Sequence, residues 1–424
     1  VLNILGVEDF GIYNVVGGIV AMFGFINGSM TSATQRYLTF ELGQNNRAQL
    51  TKVFSTSLSI HGIISFLIIV LAETVGLWFL WNKMQIPADR MNAAFWVFQC
   101  SVAASVIMIM SVPYNAAIIA HERMSAFAYI SIIEVSLKLL IVCFLRYFHT
   151  DKLILYAALI VIVQFLIRLC YSWYCNRHFN ETKYRWSWDK GLFKEMTGFA
   201  SWNMFGSLAA ITFTQGLNLL LNMFFGPVVN AARGIAVQAQ TAIGQFSSNF
   251  QTALNPQITK SYATGDMEYM HGLIFRSAKF SFFLLLLLSL PVLIETKAIL
   301  TLWLKIVPDH TVVFLRIMLC TTWVYAVSNP LITAASATGK IKLYQSVVGG
   351  LLLLILPISY LCLRFGLPAY SVFIVHLVIE ITAQFARLLM LKRMIKLSLR
   401  EYFSKVVWCI FKVTAIALAV PLAV

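Results

Sequence analysis

The segment FGPVVNAARGIAVQAQTAIGQFSSNFQTALNP, Phe225 to Pro256, lies between two runs apolar enough for lipid, yet it carries one arginine, four glutamines and three asparagines. Its polar positions Asn230, Arg233, Gln238, Thr241, Gln245, Ser248, Thr252 and Asn255 are spaced mostly by three and four residues, so they share one face of a helix. The other face, Ile235, Ala239, Ile243, Phe246, Phe250 and Leu254, is apolar. Leaving eight such polar groups unpaired in hydrocarbon would cost on the order of 1–2 kcal/mol each. The stripe is therefore expected to face water or a polar ligand inside a helical bundle.

The rest of the chain says what kind of bundle this is. Of 424 residues, 59% are hydrophobic and 12% are charged, against roughly a quarter charged in soluble domains. Apolar runs of about 20 residues, enough to cross a bilayer as a helix, recur from end to end. The alternating ten-residue segments of a membrane barrel are absent. We read an all-α membrane protein with twelve spans near 11–34, 53–80, 92–119, 126–147, 153–176, 197–222, 228–254, 277–302, 311–337, 341–364, 368–391 and 403–424. The chain begins at Val1 inside what reads as a connection and stops at Val424 in an apolar run. A helix before the first span, and more chain after the last, are expected in the parent protein.

The connections alternate in charge. One set carries eighteen basic residues, from Arg36 and Arg47 to Arg400 and Lys405, and the other carries six: Lys83, Arg90, Arg146, Lys152, Lys305 and Arg364. The first set is assigned to the cytoplasmic side. Much of the net charge of +15 is thus a topology signal, and nucleic acid is not an expected partner. The seven cysteines show no CxxC spacing and the seven histidines no HExxH pair, so no disulfide, metal or cofactor is expected.

A self-comparison at a shift near 220 residues pairs Gly6 with Gly226, Gly43 with Gly265, Glu73-Thr74 with Glu295-Thr296, Pro87 with Pro308, Pro113 with Pro330, and Gln164-Phe165 with Gln384-Phe385. Six ordered pairs indicate a duplicated six-helix unit. Six is even, so the halves keep the same orientation, which predicts two lobes related by an axis along the membrane normal. The expected organisation is a first lobe over 1–176, a cytoplasmic linker over 177–196 with Trp186 and Trp188 in the headgroup layer, a second lobe over 197–391, and an additional helix over 392–424. The repeat partner of the polar stripe is Asn14, Gly17, Gly18, Ala21, Gly24, Gly28, Thr31 and Gln35. Close packing of small residues explains that stripe as well as a cleft does, but its pairing with the first stripe favours a shared cleft with Asn14 and Gln35 on its wall.

Other ionisable groups fall within spans. Glu134 and Lys138, four apart, suit a mutual ion pair. Arg168 and Arg387, near-equivalent under the repeat, are read as cations at the inner mouth of the cleft. Glu380, one turn from His376 near the middle of its span, is a candidate for ion coupling or for pairing with a cation. Glu73 and Glu295 read as gate or interface residues.

LGVEDFGIYNVVGGIV, QRYLTFELGQNN, GFASWNMFGSLA, and above all NAARGIA at Asn230 to Ala236 and NPQITKSYATGD at Asn255 to Asp266, resemble the Wzx-type polysaccharide flippases of the multidrug and oligosaccharidyl-lipid exporter superfamily. The resemblance covers essentially the whole chain. It implies two six-helix lobes around a V-shaped cavity and extra helices at the end. The implied substrate is a polyprenyl-diphosphate-linked oligosaccharide, moved from the cytoplasmic to the periplasmic leaflet of a bacterial inner membrane for O-antigen, capsule or exopolysaccharide synthesis. It further implies a non-enzymatic monomer that meets polysaccharide-assembly proteins, with Arg233 facing the diphosphate. A multidrug exporter of the same fold and a peptidoglycan-precursor flippase are the alternatives. A polymerase or ligase is disfavoured because the external connections are short.

Overall fold

The computed structural model describes every residue except 1–4, 7–8, 10, 14–15, 18–23, 85, 148–150, 184–188, 305–306 and 423–424. Asn14 and the linker tryptophans Trp186 and Trp188 therefore lie outside the described residues. Among the described residues there are helices and no strands. The chain divides into two compact units, Val1–Ser201 and Trp202–Val424.

In the first unit, α1 (Gly24–Gly43) is followed by α2, which runs Arg47–Leu71, passes through a π-helical turn at Ala72–Gly76 and continues Leu77–Asn82. Then come α3 (Met91–Ala120), α4 (Met124–Phe144) and α5 (Lys152–His178). Helix α6 (Lys190–Phe225) carries the chain from the first unit into the second, the division falling after Ser201. The second unit continues with α7 (Pro227–Thr264), α8 (Met267–Ile294, resumed at Thr296–Leu304), α9 (Thr311–Ala337) and α10 (Lys342–Leu353 and Ile355–Arg364). It ends with α11 (Ser371–Met394) and α12 (Leu399–Leu422), which contains a π turn at Phe403–Val407. Among the described residues ten of these helices are long and apolar enough to cross a membrane. Helix α7 is not one of them, because its polar face lowers its hydropathy.

The duplication seen in the sequence recurs in the packing of each unit. In the first, α3 packs on α1, α2 and α5, α1 on α2, and α4 on α5; in the second, α9 packs on α7, α8 and α11, α7 on α8, and α10 on α11. Local chemistry repeats with it. Asn46 and Asp266 each cap a helix by accepting from the backbone N–H three residues on, Gln49 and Tyr269. The left-handed residue before each cap is Asn45 (φ 54°) and Gly265 (φ 78°). The structural register is thus 220, and Gly265 corresponds to Asn45 rather than to Gly43; asparagine is the side chain that best tolerates this conformation in place of glycine. Glu73 and Glu295 both fall where their equivalent helices are disrupted, in the π turn of α2 and at the break in α8.

Helix α7 starts at Pro227 behind Gly226 (φ 78°), a break that only glycine makes without strain. Its apolar residues Ile235, Ala239 and Ile243 pack on a core built around Phe314, Leu315, Leu319 and Phe373. The polar stripe is thereby turned away from that core.

Candidate functional site

The second unit holds a cavity of about 410 Å³ between α6, α7, α8, α9, α10 and α11. Helix α7 contributes Gln240, Thr241, Gln245, Ser247, Ser248 and Gln251; α9 contributes Thr321, Thr322 and Tyr325; α11 contributes His376, Glu380 and Arg387. Phe213, Leu285 and Leu352 complete an apolar rim. Of the residues expected on the stripe, Thr241, Gln245 and Ser248 line this cavity and are exposed. Gln238 is exposed on the same helix.

Two glutamines outside the expected stripe turn inward. Gln240 Nε2 donates to Met318 O (3.2 Å) and Thr322 Oγ1 (2.8 Å), and Gln251 Nε2 donates to Ala326 O (2.8 Å). Because residue 330 is proline, Ala326 O has no backbone donor four residues on. Gln251 supplies the missing hydrogen bond from the neighbouring helix. Two members of the stripe are engaged by protein partners: Thr252 Oγ1 donates to Ser248 O on its own helix, and Asn255 Oδ1 accepts from Thr333 Oγ1 on α9. Asn230 is half-buried, and Gln35 is half-buried in the first unit.

Arg233 departs from the expectation. It is 6% exposed, and its guanidinium reaches α6, where Nη1 donates to Asn218 Oδ1 and Nη2 to Thr214 O (2.9 Å). The reason is the hairpin made by α6 and α7. Arg233 lies seven residues after Gly226 and Asn218 lies eight before it, so the turn sets them opposite one another on antiparallel helices. This arginine of the stripe places both Nη groups on α6 instead of facing the cavity.

Arg168 and Arg387, expected as cations at the inner mouth, are both engaged by protein partners. Arg387 is 2% exposed; its Nε donates to Tyr344 Oη (3.2 Å), and its Nη1 to Ser328 Oγ (3.1 Å) and Glu380 Oε1 (2.7 Å). Glu380 is itself 4% exposed. The two residues lie seven apart on α11, two helical turns, so one face carries both charges. Ser328 also donates to Gln384 Oε1 (2.6 Å), and Gln384 Nε2 to Tyr402 Oη (3.3 Å), which ties the ion pair to α12. Arg168 donates to Met110 O in the first unit and lies over the Tyr114 ring at 5.6 Å. Each arginine thus grips the turn of α3 or α9 that precedes Pro113 or Pro330. His376 stacks obliquely on Phe213, with ring centroids 4.8 Å apart. Lys138 and Glu134 form the expected pair at 2.6 Å, joined by Gln164.

No cluster of three potential metal ligands occurs among the described residues. The cavity carries neutral amides and hydroxyls on one wall and an internally paired carboxylate and guanidinium on the other.

A family model described as "Polysaccharide biosynthesis protein" matches residues 1–262. The chain belongs to this family of polysaccharide biosynthesis proteins. Similar solved structures are transporters. One is an outward-facing multidrug resistance MATE family transporter of the MOP superfamily, with TM-score 0.78 and 13% identity over 92% of this chain and 89% of that one. A second is the Vibrio cholerae MATE transporter VcmN in its bent form, with TM-score 0.77 and 17% identity over 95% and 91%. A third is a MOP superfamily transporter from Pyrococcus furiosus whose title reports reverse polarity of the binding pocket, with TM-score 0.72 and 13% identity over 93% of each chain. At these identities the likeness establishes the fold. No curated protein matches the chain. This family member is a multi-pass membrane protein with a MATE-like helical fold, and family and fold together point to a transporter or flippase.

Proposed function

We propose that this family member is a flippase that moves a polyprenyl-diphosphate-linked oligosaccharide from the cytoplasmic to the periplasmic leaflet of a bacterial inner membrane by alternating access, for O-antigen, capsule or exopolysaccharide synthesis. The observation that carries the reading is the composition of the cavity wall. Gln245, Ser248, Thr241 and Thr322 offer neutral donors and acceptors suited to a hydroxyl-rich sugar. Arg387 adds a guanidinium whose planar fork matches phosphate oxygens. A multidrug exporter taking cationic compounds is less well supported, because the cavity wall among the described residues carries one carboxylate, Glu380, paired with Arg387, and so has no net negative charge.

The test is reconstitution of the purified chain in vesicles loaded on one leaflet with a fluorescent polyprenyl-diphosphate oligosaccharide, with headgroup accessibility read on the other leaflet. Accelerated exchange that is lost in Arg387→Gln is the expected result. Exchange no faster than in protein-free vesicles, with uptake of a cationic dye instead, would overturn the reading. Expulsion of lipid II alone would point to the peptidoglycan precursor.

A further inference from the structure

We infer that Glu380 acts as a built-in competitor for the anion of the substrate, so that seating a phosphate on Arg387 releases the Glu380 carboxylate and is accompanied by uptake of one proton. The inference rests on the proposed function, since it requires an anionic substrate in the second-unit cavity.

The argument begins with charge. Arg387 is the fixed cation on the cavity wall, and its Nε and Nη1 are held by Tyr344, Ser328 and Glu380. This guanidinium is buried with an anion beside it, and that anion is Glu380. A diphosphate arriving at the guanidinium would otherwise place its charge beside a carboxylate 2.7 Å from the same nitrogen. Two anions sharing one buried cation repel strongly, and protonation of the carboxylate relieves this. In the exchange, the contact from Arg387 Nη1 to Glu380 Oε1 breaks and a contact from Arg387 to a phosphate oxygen forms. Glu380 then takes a proton from the water of the cavity. Protonation of Glu380 removes one negative charge and so offsets one of those that the diphosphate brings.

The groups that face Glu380 come from several helices. From α9 it is faced by Tyr325, from α10 by Tyr344, and from its own helix by Arg387 and His376. Arg233 on α7 acts on His376 but is held by Asn218 and Thr214. Leu285 is the contribution of α8 to the cavity, and α12 reaches the pair through the uncharged chain from Tyr402 to Gln384 to Ser328. Once Arg387 has turned to a phosphate, no second cation on the cavity wall among the described residues replaces it. Ser328 and Tyr344 remain as fixed dipoles that keep the guanidinium in place while it changes partner.

The test uses the full chain in detergent micelles with geranyl diphosphate as the probe, titrated calorimetrically between pH 6 and 8 in buffers of different ionisation enthalpy. The ionisation of the free probe, measured separately, is subtracted. Wild type is expected to take up about one proton more per bound probe than Glu380→Gln, and its affinity relative to that variant should fall about tenfold per pH unit as pH rises. Arg387→Gln should bind the probe at least tenfold more weakly. Proton uptake by wild type equal to that of the free probe's own ionisation overturns the inference, and this needs no variant to fold. Binding without excess proton uptake sinks the competitor role and leaves the proposed function standing; no binding at any pH sinks both.

Discussion

Gln251 on α7 donates its amide to the carbonyl of Ala326 on α9 across 2.8 Å, and Ala326 is the residue whose helical donor is removed by Pro330. A proline in a packed helix leaves a carbonyl that lipid cannot satisfy, and here a side chain from the repeat-defining helix supplies the bond. Gln251→Leu should lower stability by about 1–3 kcal/mol through the orphaned acceptor. In a Pro330→Ala background, which restores the backbone N–H, the same change should cost less, giving a coupling of about 1 kcal/mol. Denaturant unfolding of the four proteins measures it. Additive effects would mean that Gln251 does not compensate for Pro330.

Arg233 yields a prediction of the opposite kind to the one its sequence position suggested. Its bonds run to Asn218 and Thr214 within the α6 and α7 hairpin, so Arg233→Lys, which loses the planar fork, should destabilise the protein by about 1–3 kcal/mol. Its affinity for geranyl diphosphate should stay within about twofold of wild type, an energy change well under 1 kcal/mol. A tenfold loss of affinity at unchanged stability would return Arg233 to the anion site.

The contrast between these residues marks what the sequence could tell. Membrane class, helical fold and duplication were legible because lipid forces about twenty apolar residues per span and because local devices such as the caps at Asn46 and Asp266 repeat at a fixed interval. That Thr241, Gln245 and Ser248 share one face was legible because helical periodicity alone separates them from Ile235, Ala239 and Ile243. Gln240 and Gln251 escaped, since a stripe drawn on one helix ignores the carbonyl that a proline on another helix exposes. The partnership of Glu380 and Arg387 is an i, i+7 relation that was in view, but only α9 and α10, bringing Ser328 and Tyr344, decide that the arginine turns inward rather than towards a mouth. The α6 and α7 hairpin carries a signal in the sequence as well: counting outward from Gly226 pairs Arg233 with Asn218.

Accessibility can separate the two sides of α7. The seven cysteines are free, and Cys143 is exposed, so a background without them comes first. Single cysteines at Gln245 and Ser248, exposed on the cavity wall, should react with a charged methanethiosulfonate. A cysteine at Ala236, fully buried, should not react. A cysteine at Phe246, 58% exposed on the apolar side, should react only with a membrane-permeant maleimide. Equal reaction of the charged reagent at positions 245 and 246 would remove the distinction on which the cavity assignment rests.

The last prediction concerns acid. In the first unit, His121 at the end of α3 donates from Nε2 to Glu181 Oε1 at 2.5 Å, and its ring stacks on Phe179 with centroids 3.9 Å apart. Burial pushes the Glu181 carboxyl up, but the hydrogen bonds from His121 and its own backbone, with the charges of His121 and Arg47, outweigh it and hold the group below its ordinary value. A carboxylate so depressed contributes stability that is fully present above its unfolded value, about 4.3, and is lost as pH falls through the lower folded value. The thermal midpoint of the wild type should therefore drop on acidification below about pH 4, whereas Glu181→Gln, which cannot titrate, should start lower at pH 7 and drop less. Differential scanning fluorimetry from pH 3 to 7 compares the two slopes. Parallel acid limbs would show that the latch between α3 and the segment after α5 contributes nothing to the pH dependence.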